Sequence, residues 1–224
     1  MLKFLVALLV TCSVAFASGP NIEELKANAE SGDVRAMFAV AFCYDRGRGT
    51  PIDKAEAARW YRKSAEAGLG AAQNSLGSMY QAGEGVEKDF EKARQWYQKA
   101  ADQGDAEATN NLAFLYDEGL GTAEDNAKAI ELYKLAAERG FLQAMLNLGI
   151  MYGRGEGVPV NNVEAYKWLD LARFYTQSSD DQRLKWRSRG LLEEVSKKMS
   201  SSEIAAAKKL GAEWDASHRK KGGA

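Results

Sequence analysis

Hydrolytic or metal chemistry would have to come from histidine, cysteine or an activated serine, and this chain supplies little of each. Its single histidine, His218, lies in an expected loose tail. That placement removes Ser-His-Asp and Cys-His catalysis, and zinc sites of the histidine-rich kind. The two cysteines, Cys12 and Cys43, make no ligand cluster. Four glycine pairs, Gly47/Gly49, Gly83/Gly85, Gly119/Gly121 and Gly155/Gly157, lack the Gly-Lys-Ser/Thr that completes a phosphate loop. Ser217-His218-Arg219-Lys220 has the Ser-x-x-Lys spacing of a serine nucleophile. That motif works at the start of a buried helix and beside a Lys-Thr-Gly, which this chain does not contain. The expectation is therefore no catalytic residue, no metal and no cofactor.

Two further groups of residues are built for contact rather than for bond-making. Arg183, Lys185, Arg187 and Arg189 surround Trp186. Asp180, Asp181, Glu193 and Glu194 stand beside them, which favours a solvated helix face whose long stems cover apolar surface over a nucleic-acid contact. The second group consists of aromatic and amide residues, and its meaning depends on the frame that carries it.

That frame is a repeat of 36 residues. Tyr44, Tyr80, Tyr116 and Tyr152 stand in one column, and Ala36, Ala72, Ala108 and Ala144 in another. Ala57, Ala93, Ala129 and Ala165 form a third, and Gly49, Gly85, Gly121 and Gly157 a fourth. Self-similarity at this period is the mark of a stacked helical array. Each repeat reads as two helices. Ala36, Val40, Ala41 and Tyr44 share one face of the first, over about 33–45, and Gly47-Arg48-Gly49 ends it. Asp53, Asp89, Asp125 and Asn161 are N-caps for the second helices. Ala57, Trp60, Tyr61, Ser64 and Ala65 follow at helical spacing. One hairpin cannot bury such faces alone, whereas stacked hairpins can.

The boundaries follow from the columns. Residues 33–175 hold four repeats. Residues 18–32 form an N-terminal half-repeat cap, because Leu25, Ala29 and Gly32 match Tyr61, Ala65 and Gly68, with Asn21 and Glu24 as a capping box. Residues 176–217 form a C-terminal helical cap of two helices, one to about Lys198 and one through Trp214. Ser200 and Glu203 form a second capping box there, and 218–224 is expected to be a flexible tail.

Residues 1–17 read as a signal peptide, with Lys3, an apolar run from Phe4 to Val10, and Ala15-Phe16-Ala17 as a cleavage site after Ala17. The implied location is periplasmic or secreted, with no stable membrane span after cleavage. The alternative is a lipoprotein anchored at Cys12, for which Thr11 is a poor preceding residue. Cleavage leaves Cys43 alone in an apolar column with Met79, Leu115 and Met151, so packing rather than disulfides must hold the fold. A net charge of −1 gives no reason to expect nucleic acid.

Leu76-Gly77-Ser78-Met79-Tyr80, Gly83-Glu84-Gly85-Val86, Asp89, Ala93 and Trp96-Tyr97-Gln98-Lys99-Ala100-Ala101 together resemble the Sel-1-like repeat family, relatives of the tetratricopeptide arrays. The resemblance implies an all-α, right-handed solenoid of four helix-turn-helix repeats with helical caps. Leu132 stands where the family has Trp, Leu169 where it has Tyr and Arg173 where it has a small residue. The last two suggest that the fourth repeat meets a different neighbour.

The resemblance also implies a non-enzymatic scaffold that binds a protein or peptide. In related arrays the variable positions of each first helix line the concave surface. Here these are Phe38, Asn74, Asn110 and Leu146, and one turn on Phe42, Ser78, Phe114 and Ile150, with Asn111 and Asn147 beside them. Asparagine amides can bond a peptide backbone both ways, and the apolar positions could anchor a partner. Phe38 and Phe42 have a second reading, packing against the N-terminal half-repeat. The alternative function is a β-lactam or cell-wall-related hydrolase or binder, since some cysteine-rich secreted relatives are linked to β-lactams. Their cysteine pair in each repeat is missing here.

Overall fold

The computed structural model describes residues 21–177 and 180–219. The expected signal peptide, Cys12, Lys220 and the end of the tail lie outside them. Among the described residues there are eleven helices and no strand. They fall into two compact units, divided between Gln103 and Gly104.

The first unit opens with α1 (Ile22–Glu30), which packs on the hairpin α2 (Val34–Arg46) and α3 (Lys54–Glu66). The hairpin α4 (Gly70–Ala82) and α5 (Phe90–Asp102) follows. The helices begin where their caps require. The Asn21 side chain accepts from the Glu23 and Glu24 amides, and Asp53 and Asp89 accept from the third helical amide of α3 and α5. The Asp53 amide donates to the Tyr44 carbonyl at 3.0 Å and the Asp89 amide to that of Tyr80 at 2.9 Å, so both hairpin turns close alike.

Small residues set the spacing within a hairpin. A Cβ on Gly77 would lie 2.7 Å from the Tyr97 ring, so only glycine lets α4 come this close to α5. The Tyr97 hydroxyl then donates to Gln81 Oε1 at 2.8 Å, which keeps a buried polar atom satisfied. Ala57, Ala72 and Ala93 are fully buried, and Cys43 is buried with them.

The second unit repeats the scheme with α6 (Ala106–Asp117) and α7 (Asn126–Glu138), then α8 (Leu142–Arg154) and α9 (Asn162–Thr176). Asp125 and Asn161 cap α7 and α9. Ala108, Ala129, Ala144 and Ala165 have no exposed surface.

Helices α10 (Gln182–Ser196) and α11 (Ser201–Arg219) both pack on α9. This is the different neighbour that the departures in the fourth repeat imply. Leu169 is buried against Gly149, and a Cβ on Gly153 would be in ordinary contact with Val195 of α10. Asp181 caps α10. Ser200 and Glu203 make the reciprocal capping box, with the Ser200 amide 2.7 Å from Glu203 Oε2 and the Glu203 amide 3.3 Å from Ser200 Oγ.

The expectation of a loose segment from residue 218 needs correction at its start. α11 runs through Arg219, and the His218 ring stacks on Trp214 at 4.2 Å between centroids. Trp214 in turn meets Trp168 of α9 edge-on at 5.3 Å, so aromatic packing carries the helix past the point where composition suggests fraying.

Candidate binding site

In the first unit, the expected contact residues are spread along α2 and α4. Phe38 is half-buried with its ring 5.4 Å from that of Tyr61. Phe42 is half-buried beneath the Arg48 guanidinium at 5.7 Å. Asn74 is half-buried and Ser78 exposed.

In the second unit, the expected residues converge. α6 and α8 place Phe114, Asn147 and Ile150 on the wall of one concavity of about 410 Å³. Met151 completes the apolar wall, and Tyr133 of α7 stands at its side. Beside the apolar wall lies an amide ladder. Gln143 Nε2 donates to Asn147 Oδ1 at 2.9 Å, Asn147 Nδ2 to Asn110 Oδ1 at 3.3 Å, and Asn110 Nδ2 to Asn111 Oδ1 at 3.4 Å.

Two expected contact residues are corrected here. Leu146 is completely buried, because α8 is covered by α7, α9 and α10 and an apolar side chain gains most by joining that core. It has no surface to offer a partner. Asn110 is 6% exposed and acts within the ladder, so its amide is already engaged.

The acidic part of the lining did not stand out in the sequence. Asp117, Glu118, Glu124 and Glu156 bring four carboxylates to the concavity, against Arg154 and Arg187. Glu156 meets Arg154 at 3.5 Å, and Glu124 accepts from Asn126 at 2.7 Å. Asp117 accepts from the Tyr133 hydroxyl at 3.3 Å. Burial, and then the charge of Glu156, hold the Asp117 carboxyl above its ordinary value, while the Tyr133 bond opposes them. Burial likewise pushes the Tyr133 phenol up, which keeps it neutral and a donor. The site thus joins an apolar wall, amide donors and acceptors, and a surplus of negative charge.

The raised Asp117 value has a consequence for stability. An acid whose folded value lies above its unfolded value binds its proton more tightly when folded. Stability is then greatest below the ordinary value of 3.8 and falls as pH rises through the interval above it. Asp117→Asn keeps an acceptor for Tyr133 and removes the charge. We expect the variant to melt higher than the wild type at pH 7, with the gap closing in acid. Parallel thermal melts across pH check this, and a wild type more stable at pH 7 would contradict it.

Ser217 does not stand in the setting that a Ser-x-x-Lys nucleophile requires. It is exposed near the end of α11, donating to the Trp214 carbonyl at 2.7 Å and lying 2.8 Å from His218 Nδ1. No helix among the described residues is long and apolar enough to cross a membrane.

The Sel1 repeat pattern matches residues 34–69, 70–105, 106–141 and 142–173. Each match opens at the first residue of a first helix, α2, α4, α6 or α8. The chain belongs to the Sel1 repeat family. Among solved structures, this Sel1 repeat chain is similar to a protective antigen present in uropathogenic Escherichia coli strains, which displays an SLR fold. The two are 29% identical with a TM-score of 0.80, over 89% of this chain and 41% of the antigen. A Sel1 repeat protein from Oxalobacter formigenes is 28% identical with a TM-score of 0.59, over 76% of this chain and 75% of that one. A 69-residue stretch is 37% identical to the secretory immunoglobulin A-binding protein EsiB of Escherichia coli O6:H1, covering 29% of this chain and 14% of EsiB. The chain therefore spans less than half the length of the uropathogenic antigen and a small part of EsiB.

Proposed function

We propose that this Sel1 repeat chain is a periplasmic or secreted scaffold that binds a peptide segment of another protein in the concavity of its second unit. A basic side chain of the partner sits among Asp117, Glu118, Glu124 and Glu156, while neighbouring residues lie on Phe114 and Ile150. The observation that carries this reading is convergence: three variable first-helix positions and four carboxylates line one concavity. Raising the Asp117 carboxyl costs stability, and a cost of this kind is a common accompaniment of a binding site. A cation placed beside it would remove that cost. The apolar start of the chain and its Ala-x-Ala site support export. The stretch shared with EsiB, which is named for binding an immunoglobulin, agrees with a protein partner.

The test begins with capture of partners by residues 18–224 from envelope and medium fractions, followed by calorimetric titration of the partner identified. Phe114→Ala with Asp117→Asn should weaken binding by about thirtyfold, as expected for losing one anchor of about 2 kcal/mol. Phe114 and Asp117 make a cleaner pair than one involving Asn110, whose truncation would break the buried ladder. Unchanged affinity in a folded double variant would remove the concavity from the interface.

A further inference from the structure

The outer face of α10 carries a feature that the concavity does not use. Trp186 is 79% exposed, more than any other large apolar side chain described. The long stems around it were expected to cover apolar surface, yet the indole itself stands in water. Arg183 and Arg189 lie three residues to either side of it, which places all three on one face of the helix. The Arg183 side chain is 97% exposed. Its nearest carboxylate oxygen, Asp181 Oδ1 at 4.0 Å, already accepts from the Arg183 and Leu184 amides as the helix cap. Gly190, one turn beyond Trp186, has open space around it, and a Cβ there would meet nothing within 4 Å.

Charge in the first part of α10 is one-sided. From Arg183 to Leu192 the helix has Arg183, Lys185, Arg187 and Arg189 and no acid. Arg187 is turned toward the concavity. Further along, Glu193 is matched by Lys197 at 2.9 Å and Glu194 by Lys198 at 3.8 Å, so these acids pair with lysines in the turn that follows the helix. The result is a protruding indole flanked by the exposed side chains of Arg183 and Arg189 on one helix.

Protein anchors of this kind usually sit in well-packed, desolvated pockets. A lipid headgroup layer demands no matching shape. It accepts an indole at the boundary between apolar and wet material, and its phosphates meet arginine forks. We propose that α10 docks this chain on an anionic lipid surface, with Trp186 entering the headgroup layer and Arg183 and Arg189 on lipid phosphates. The helix lies along the surface and does not cross it.

The full chain should co-sediment with vesicles of phosphatidylglycerol and phosphatidylcholine and not with phosphatidylcholine alone, and salt should weaken the association. Trp186→Ala, and separately Arg183→Glu with Arg189→Glu, should each reduce binding by at least about tenfold. Trp186→Phe should retain part of it. The vesicle-induced blue shift in tryptophan emission should largely vanish in Trp186→Phe, although the other four of the five tryptophans remain. Far-UV circular dichroism identifies any variant that misfolds, and Trp186→Phe then carries the test. No binding to anionic vesicles, equal binding to neutral ones, or full binding by the folded variants would each overturn the proposal. So would loss of a captured protein partner in Trp186→Ala without any vesicle binding, which would assign this face to a protein.

Discussion

Gly85→Ala should destabilise the first unit by more than about 4 kcal/mol, beyond the usual range for a single substitution. A Cβ on Gly85 would lie 2.0 Å from the Lys54 carbonyl oxygen, 2.3 Å from its carbon and 2.8 Å from the Ala55 nitrogen. All three atoms belong to the backbone of the first turn of α3, so no side chain can rotate out of the way. The residue also has φ +70°, which alanine disfavours. Gly68→Ala separates these two costs within the same unit. Its φ is +98°, but a Cβ there meets nothing within 4 Å, so only a backbone penalty of about 1–2 kcal/mol is expected. Denaturation of both variants, followed by circular dichroism, makes the comparison. Similar losses would show that the loop does not need to rest on α3, and would remove close approach as the reason for the glycine. The second unit has the same arrangement at Gly157, whose Cβ would fall 2.5 Å from that of Asn126, the first residue of α7.

The frame was legible in the sequence because its determinants are local and repeated. Aspartate or asparagine before each second helix meets an amide three residues on, whatever surrounds the hairpin. The alanine columns hold because two helices approach equally closely in each repeat. The site was legible only in part. A column fixes the direction in which a side chain leaves its helix, but its depth depends on what later elements cover. Thus Phe114 and Ile150 reach the concavity, whereas Leu146 is buried under helices that the period does not describe. None of the carboxylates belongs to a column that is acidic in all four repeats. The Asp117 column reads Asp45, Gln81, Asp117 and Gly153, and the Glu124 column reads Ile52, Lys88, Glu124 and Val160. Glu124 and Glu156 sit in loops, and their convergence with Asp117 exists only after two hairpins have stacked. At the chain end, His218 is ordered by a tryptophan pair whose members lie 46 positions apart, Trp168 and Trp214.

Leu146→Ala should cost about 3 kcal/mol, within the 2–5 expected when a buried leucine is truncated and its space only partly refills. Leu146 and Leu148 are both completely buried, and α8 has neighbours on three sides, so little can collapse into the gap. Ile150, four residues on, is half-buried at the wall of the concavity, and Ile150→Ala should cost much less, about 1 kcal/mol, because water already reaches it. The two variants should therefore exchange rank between stability and binding: Leu146→Ala lowers protection of the α8 amides against hydrogen exchange, and Ile150→Ala weakens the partner more than it weakens the fold. Exchange resolved along α8 is the suitable readout, since repeat arrays open in parts and one melting temperature can hide a local loss. A surface leucine would change stability by no more than about 0.5 kcal/mol. If Leu146→Ala behaved in that way, its column would return to the binding surface, and the concavity would extend deeper along α8 than its present walls.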